Sequence, residues 1–213
     1  MVDYENPASL TYTLKGVDLV VSTICGDAQL SLVKAAAATH VRHFIPSAFS
    51  GPAEQCAPRS IGQEAWQELM SLLQHHEAVS SMRYTLFTCG VFYERFGPGG
   101  LNASQISTLT SRHPAVGEEG NLLLDIRLGK ATIPVISGTE ELSICMTSAR
   151  DVARYVVAAI QAYEDLSAWP QEFRFCTARL SMSELVAIGS RVRGTCPPTN
   201  LFRMYPSAHI SSL

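Results

Sequence analysis

The sequence predicts a doubly wound α/β fold with a parallel, Rossmann-like sheet. Three observations carry that prediction: a strand that is apolar almost throughout, a strand–helix–strand alternation with short joints, and two capping boxes that open later helices. Gly16-Val-Asp-Leu-Val-Val-Ser-Thr23 is the strand, a run that suits burial on both faces and ends in small polar residues. Asp27 is placed to cap a helix with Leu30, Val33, Ala36 and Ala37 on one face. Thr39-His40 ends it, and Val41-Arg-His-Phe-Ile-Pro46 is the next strand, its proline at the end where no ladder donor is needed. Together they make a βαβ unit.

A Gly/Pro/Ser-rich loop runs from Ser47 to Ser60, followed by a helical stripe of Ile61, Ala65, Leu69, Leu72 and Leu73. Residues 83–89 alternate as a third strand, so 17–22, 41–46 and 83–89 are expected in one parallel sheet. Gly97-Pro-Gly-Gly100 reads as a turn and 101–119 as a loose insertion. Two short strands, Ala131–Ile136 and Ser143–Met146, flank a turn at Gly138. Ser148 with Asp151 opens a helix expected to bury Val152, Tyr155, Val156, Ala159 and Ile160. Ser181 with Glu184 opens another, with Leu185, Ile188 and Val192 inward and Gly194 as its stop. Between them Glu172–Thr177 is a strand, and Trp169 is expected to anchor the connection into it. Residues 1–194 are read as one domain and 195–213 as an irregular tail.

Composition narrows the function. Across 213 residues, 46% are hydrophobic and 16% charged, enough apolar material for a large core. A net charge of −3 argues against a nucleic-acid partner. Mean hydropathy is +0.11, yet no apolar run approaches the roughly 20 residues of a spanning helix. The polar, acidic start has no secretory pattern, so a cytoplasmic location is expected. The six cysteines are scattered singly, as buried reduced thiols rather than a disulfide or zinc framework, and the histidines suggest no metal site.

Five segments in order carry a family resemblance. They are MVDYENPASLTYTLK with GVDLVVST, then VRHFIPSAFSG, RYTLFTCGVFYERFGPGG, ICMTSARDVARYVVAAI and WPQEFRFCTARLSMSELV. This order resembles the NmrA-like and isoflavone reductase-like branch of the atypical short-chain dehydrogenases, fungal members in particular, over about residues 7–194. The resemblance implies an NADP or NAD cofactor and an aromatic or enone small-molecule substrate, in secondary metabolism. Ser22, Thr23, Pro46, Ser47, Ala48 and Phe49 would then face the cofactor, and Phe92, Tyr93 and Phe96 would wall the substrate. The alternative is an NmrA-type regulator that binds dinucleotide and a protein partner without turnover.

Two departures stand out. No glycine-rich G-x-x-G-x-x-G turn occurs, so the expectation is a Rossmann-like fold that begins after the first βαβ elements, truncated and inactive as it stands. The family's helix lysine is also missing, because the only lysines are Lys15, Lys34 and Lys130. The matching helix offers Gln63, Glu64, Gln67 and Glu68, whose spacing suits a solvated face better than a catalytic one. Without the preceding strand, the 17–22 edge would be left open to self-association.

Overall fold

Residues 2–49, 63–106, 118–120, 122–136, 142–163, 165–194 and 199–204 are described in the computed structural model. Asn6 opens the first helix, α1 (Pro7–Thr13), by accepting the N–H groups of Ala8 and Ser9, with Pro7 in the first turn. Strand β1 (Leu19–Val21) leads into α2 (Asp27–Ala38) and then β2 (His43–Ile45). The N-cap of α2 is Gly26, one residue earlier than the sequence suggested, with Asp27 in the first turn. His40 leaves the helix at φ 61°, in the left-handed region.

Helix α3 (Gln63–Val79) precedes β3 (Arg83–Tyr84) and β4 (Leu86–Thr88). The order β1-β2-β3 is parallel throughout, as the sequence predicts. Residues 83–88 then pass from one neighbour to the next: Thr85 N–H still goes to Phe44 O, while Leu86 N–H goes to Gln171 O. From there β4 pairs in parallel with β9 (Glu172–Arg174).

The pleat of these strands builds two cores. Val20, Phe44, Tyr84 and Leu86 share one cluster with Leu32, Val33 and Ala36 of α2 and Leu69 and Leu73 of α3. Ile45 and Phe87 belong to the other, with Val152, Val156 and Ala159 of α5 (Ala149–Ala162) and with Trp169. Helices therefore cover both faces, which is the doubly wound arrangement. Trp169 is buried, and its indole donates to Tyr163 O at 3.2 Å while its ring lies 5.2 Å from that of His43.

Beyond β4 come β5 (Val91–Phe92), a 3₁₀ turn at Tyr93–Phe96 and a short α4 (Gly100–Ala103). Leu101 is fully buried, so the expected loose insertion is packed at its start; residues 107–117 lie outside the described residues. The strands β6 (Leu124–Asp125), β7 (Lys130–Ile136), β8 (Ser143–Thr147) and β10 (Ala178–Ser181) form two further small sheets with α6 (Met182–Arg193) against them. β7 and β8 do not pair with each other: β7 joins β6, and β8 lies between β10 and β5. The proposed turn at Gly138 lies outside the described residues.

Several expectations are corrected. Residues Thr199–Met204 of the supposed irregular tail form β11, parallel to β7. Tyr155 and Ile160 are exposed on α5, as is Val192 on α6: burial on α5 is confined to the stripe of Val152, Val156 and Ala159, with the Tyr155 ring lying against Phe175 at its margin. Of the described cysteines, only Cys89 is buried; Cys25 and Cys145 are half-buried and Cys176 is exposed. Cys56 and Cys196 lie outside the described residues. Both capping boxes begin their helices at Ser148 and Ser181, the second with its reciprocal Glu184 bond.

Candidate functional site

The candidate site lies where β1 and β2 end. Parallel strands present their carboxyl ends to one side, and ligands of such sheets bind in the crevice beyond them. Ser22 continues the ladder by donating its N–H to Ile45 O at 2.8 Å, which sets Ser22 and Thr23 beside Pro46 to Phe49. The two loops are tied by polar contacts. Gln29 on α2 accepts the Ser47 N–H at 2.6 Å, and the Cys25 Sγ and Ser47 Oγ lie 3.3 Å apart. Burial pushes the Cys25 thiol upward, against a smaller lowering by Ser47. Phe49 O then accepts both the backbone N–H and the thiol of Cys89, at 2.9 and 2.7 Å, fastening this loop to the end of β4.

Burial sorts the nominated cofactor residues. Ser22, Pro46, Ser47 and Ala48 are buried, so they shape the floor, whereas Thr23 is exposed and Phe49 half-exposed. On the other side, Phe92 is buried in the α5 core, and Tyr93 and Phe96 are half-buried against the third core cluster. Glu94, between them, accepts the Ala149 N–H at 2.9 Å at the start of α5. Its second oxygen is buried without a hydrogen-bond partner among the described residues. Sequence reasoning missed Gln29, Cys25 and Glu94; the only signal for Gln29 was a polar residue among the inward positions of an apolar helix.

The chemistry available is limited. Burial pushes Cys89 up to about 12, and Tyr93 is also raised by burial, so both keep their protons at neutral pH. Glu64, Gln67 and Glu68 of α3 are exposed, as their spacing suggested. Arg42 sits before β2, at the opposite end of the strands from Ser47, and lies 3.8 Å from Asp18. Arg59 lies outside the described residues. Among the described residues no group of three His, Cys, Asp or Glu could hold a metal ion, and no helix is long and apolar enough to cross a membrane.

The sequence profile of the NmrA-like family matches residues 1–196. The chain belongs to the NmrA-like family. No curated protein matches this NmrA-like chain at a significant level. Among solved structures, AtPrR2 with NADP+ and (+)pinoresinol is 21% identical, covered over 61% of its chain by 96% of this one, with a TM-score of 0.61. A ternary complex of leucoanthocyanidin reductase from Vitis vinifera is 16% identical, with 94% of this chain on 62% of that one and a TM-score of 0.61. An isoflavone reductase is 18% identical, with 96% on 60% and a TM-score of 0.60. This NmrA-like chain thus shares their fold and spans about three fifths of their length.

Proposed function

We propose that this chain carries the strand-end half of an NAD(P)H-dependent oxidoreductase site for an aromatic or enone small molecule of secondary metabolism. We also propose that the isolated chain neither holds the dinucleotide usefully nor transfers hydride. The observation that carries the first statement is the joining of Ser22-Thr23 and Pro46–Phe49 at the ends of two adjacent parallel strands. Solved relatives that hold NADP+ or NADPH support the choice of cofactor. Thr23 and Phe49 are the exposed surfaces for the ribose and nicotinamide, over a floor fixed by the Gln29–Ser47 bond. When bound, the cofactor would supply the hydride. Tyr93, kept protonated by burial, is the group on the substrate side with a proton to offer.

The second statement rests on what the phosphates would meet. No G-x-x-G-x-x-G turn is present, and α2 brings Asp27 into its first turn, where an anion is already placed. Binding at micromolar strength is about −8 kcal/mol. Two missing charged hydrogen bonds at roughly 1.5–3 kcal/mol each weaken that by about 10²- to 10⁴-fold, to roughly 0.2–20 mM. Calorimetric titration of the purified chain with NADPH tests this. The expected result is no saturation below about 50 μM, a concentration within the ordinary range for productive sites; tighter binding would sink it.

The second reading, a non-catalytic regulator with a protein partner, is favoured by the absence of a lysine between Ser47 and Gly100. NADPH oxidation with any aromatic enone would exclude it. A cytoplasmic location and self-association through the β1 edge belong to the same proposal.

A further inference from the structure

A carboxylate with no part in the proposed hydride transfer stands between the two halves of the site. β5 and β8 run parallel, in a register that sets Val91 beside Met146 and Phe92 beside Thr147. Both strands end there, so Glu94 and Ala149, each two residues further on, leave the same carboxyl end together. The Ala149 N–H donates to Glu94 Oε1 at 2.9 Å, at the first residue of α5. Ala149 packs in the same core cluster as Phe92 and Phe49. Phe49 O in turn holds the N–H and thiol of Cys89, two residues before β5. Glu94 is thereby placed where the loop after β2 approaches the Tyr93–Phe96 turn.

The second oxygen, Glu94 Oε2, is buried and has no donor among the described residues. A carboxylate oxygen accepts and cannot donate, and burying one without a donor is costly. The hydroxyls on the residues beside Ala149 are committed elsewhere. Thr147 Oγ1 donates to Cys89 O at 2.9 Å, and Ser148 Oγ donates to Asp151 Oδ2 at 2.9 Å. A countercharge is not what the oxygen lacks, because the first turn of α5 already favours an anion. It lacks a hydrogen.

We propose that Glu94 is a specificity-determining residue, whose Oε2 accepts a hydrogen bond from a neutral hydroxyl on the aromatic ligand. The inference rests on the aromatic-enone reading of this site and adds a chemical requirement to it. A hydroxylated ligand brings the donor that the protein withholds. A ligand of similar shape with an ether in that place brings a second acceptor, and leaves the carboxylate oxygen unpaired. Sites built around such a bond reject the analogue that cannot make it. For a bond to a charged group, the discrimination expected is about tenfold or more.

The test titrates the full chain, without NADPH, and follows binding by broadening of the ligand's NMR lines. The probes are chalcone, its ortho-, meta- and para-hydroxy derivatives and their methoxy counterparts. At one ring position the hydroxyl compound should bind about tenfold or more tightly than its methoxy partner. Glu94→Gln keeps the shape of the side chain. Its amide oxygen stays on the Ala149 N–H, which brings the amide NH2 to the place of Oε2. A donor then meets the ligand, so the preference should vanish or reverse while the melting temperature stays near that of the wild type. A merely structural role would instead weaken every probe alike. Equal affinity within every hydroxy–methoxy pair, or a hydroxyl preference that survives in Glu94→Gln, overturns the role of Glu94 and leaves the aromatic site standing. Failure of all the probes to bind, chalcone included, overturns the aromatic-enone reading and this inference with it. The wild-type comparison is decisive by itself, so a variant that folds poorly does not protect the idea.

Discussion

Gln29 Oε1 accepts the backbone N–H of Ser47 at 2.6 Å, with both residues buried, so the helix after β1 holds the loop after β2. Gln29→Leu removes the acceptor and leaves a buried N–H without a partner. The expected loss is about 1–3 kcal/mol, the cost of stranding a buried donor. Urea unfolding of the two proteins measures it. A change within the scatter of a surface substitution would mean that the loop finds another acceptor.

This bond also marks the limit of what the sequence discloses. The βαβ unit was legible because both faces of its strands are covered, which demands an unbroken apolar run. Ser148 and Ser181 were legible because a capping box is a local code, complete within four residues. Tyr155, Ile160 and Val192 were misjudged because periodicity defines a stripe but not how much of it the sheet beneath will cover. The strand Thr199–Met204 has no local period, and its existence depends on β7, a partner remote in sequence. At the site, Ser22, Pro46, Ser47 and Ala48 are buried while Thr23 is exposed, a distinction that the sequence does not carry. Small residues at a strand end suit a ligand and a tight loop packing equally well, and only the fold distinguishes them.

His43 makes stability depend on pH. Its ring is buried, with Nε2 2.8 Å from Thr85 Oγ1 and Nδ1 without a partner among the described residues. Burial first, and the Arg83 charge second, lower it from 6.5 to about 4. Between these values the unfolded chain binds a proton that the folded chain refuses. The contribution is therefore complete above pH 6.5 and lost as pH falls towards about 4. The loss reaches about 3 kcal/mol at 1.36 kcal/mol per unit. Denaturant midpoints measured from pH 7 to pH 4 should fall for the wild type and flatten in His43→Leu; parallel curves would remove the assignment.

Glycines at positive φ separate strain from collision. Gly16 and Gly194 have φ of 75° and 74°, and a Cβ on either meets nothing within 4 Å. Alanine there costs only the left-handed backbone, about 1–2 kcal/mol. Gly90 has φ 73°, and its Cβ would stand 2.3 Å from Cys145 O, a backbone atom inside a paired strand. Gly90→Ala should exceed the other two by about 2 kcal/mol or more, since β5 must shift away from β8. Thermal melts of the three variants rank them, and an equal loss at all three positions would show that β5 yields freely.

The β1 edge is the remaining liability. Among the described residues β1 pairs only with β2, so one row of its backbone groups faces outward. The strand is Leu-Val-Val with no charge, and Val21 is 39% exposed on the same face as Leu19, which packs against the cluster that includes α5. Natural edges are blunted by charge, proline or a bulge, and this one has none of these within the strand. Two copies joined along such edges would extend the sheet and cover Val21 at once. Gel filtration at micromolar concentration should therefore give a species larger than a monomer. Val21→Lys should return it to monomer, because a cation on that edge repels its symmetry mate and stays hydrated. Its side chain points away from the α2 and α3 core, so the substitution should leave the fold's circular dichroism unchanged. A wild type that elutes as a stable monomer would show that the edge is protected without a second strand.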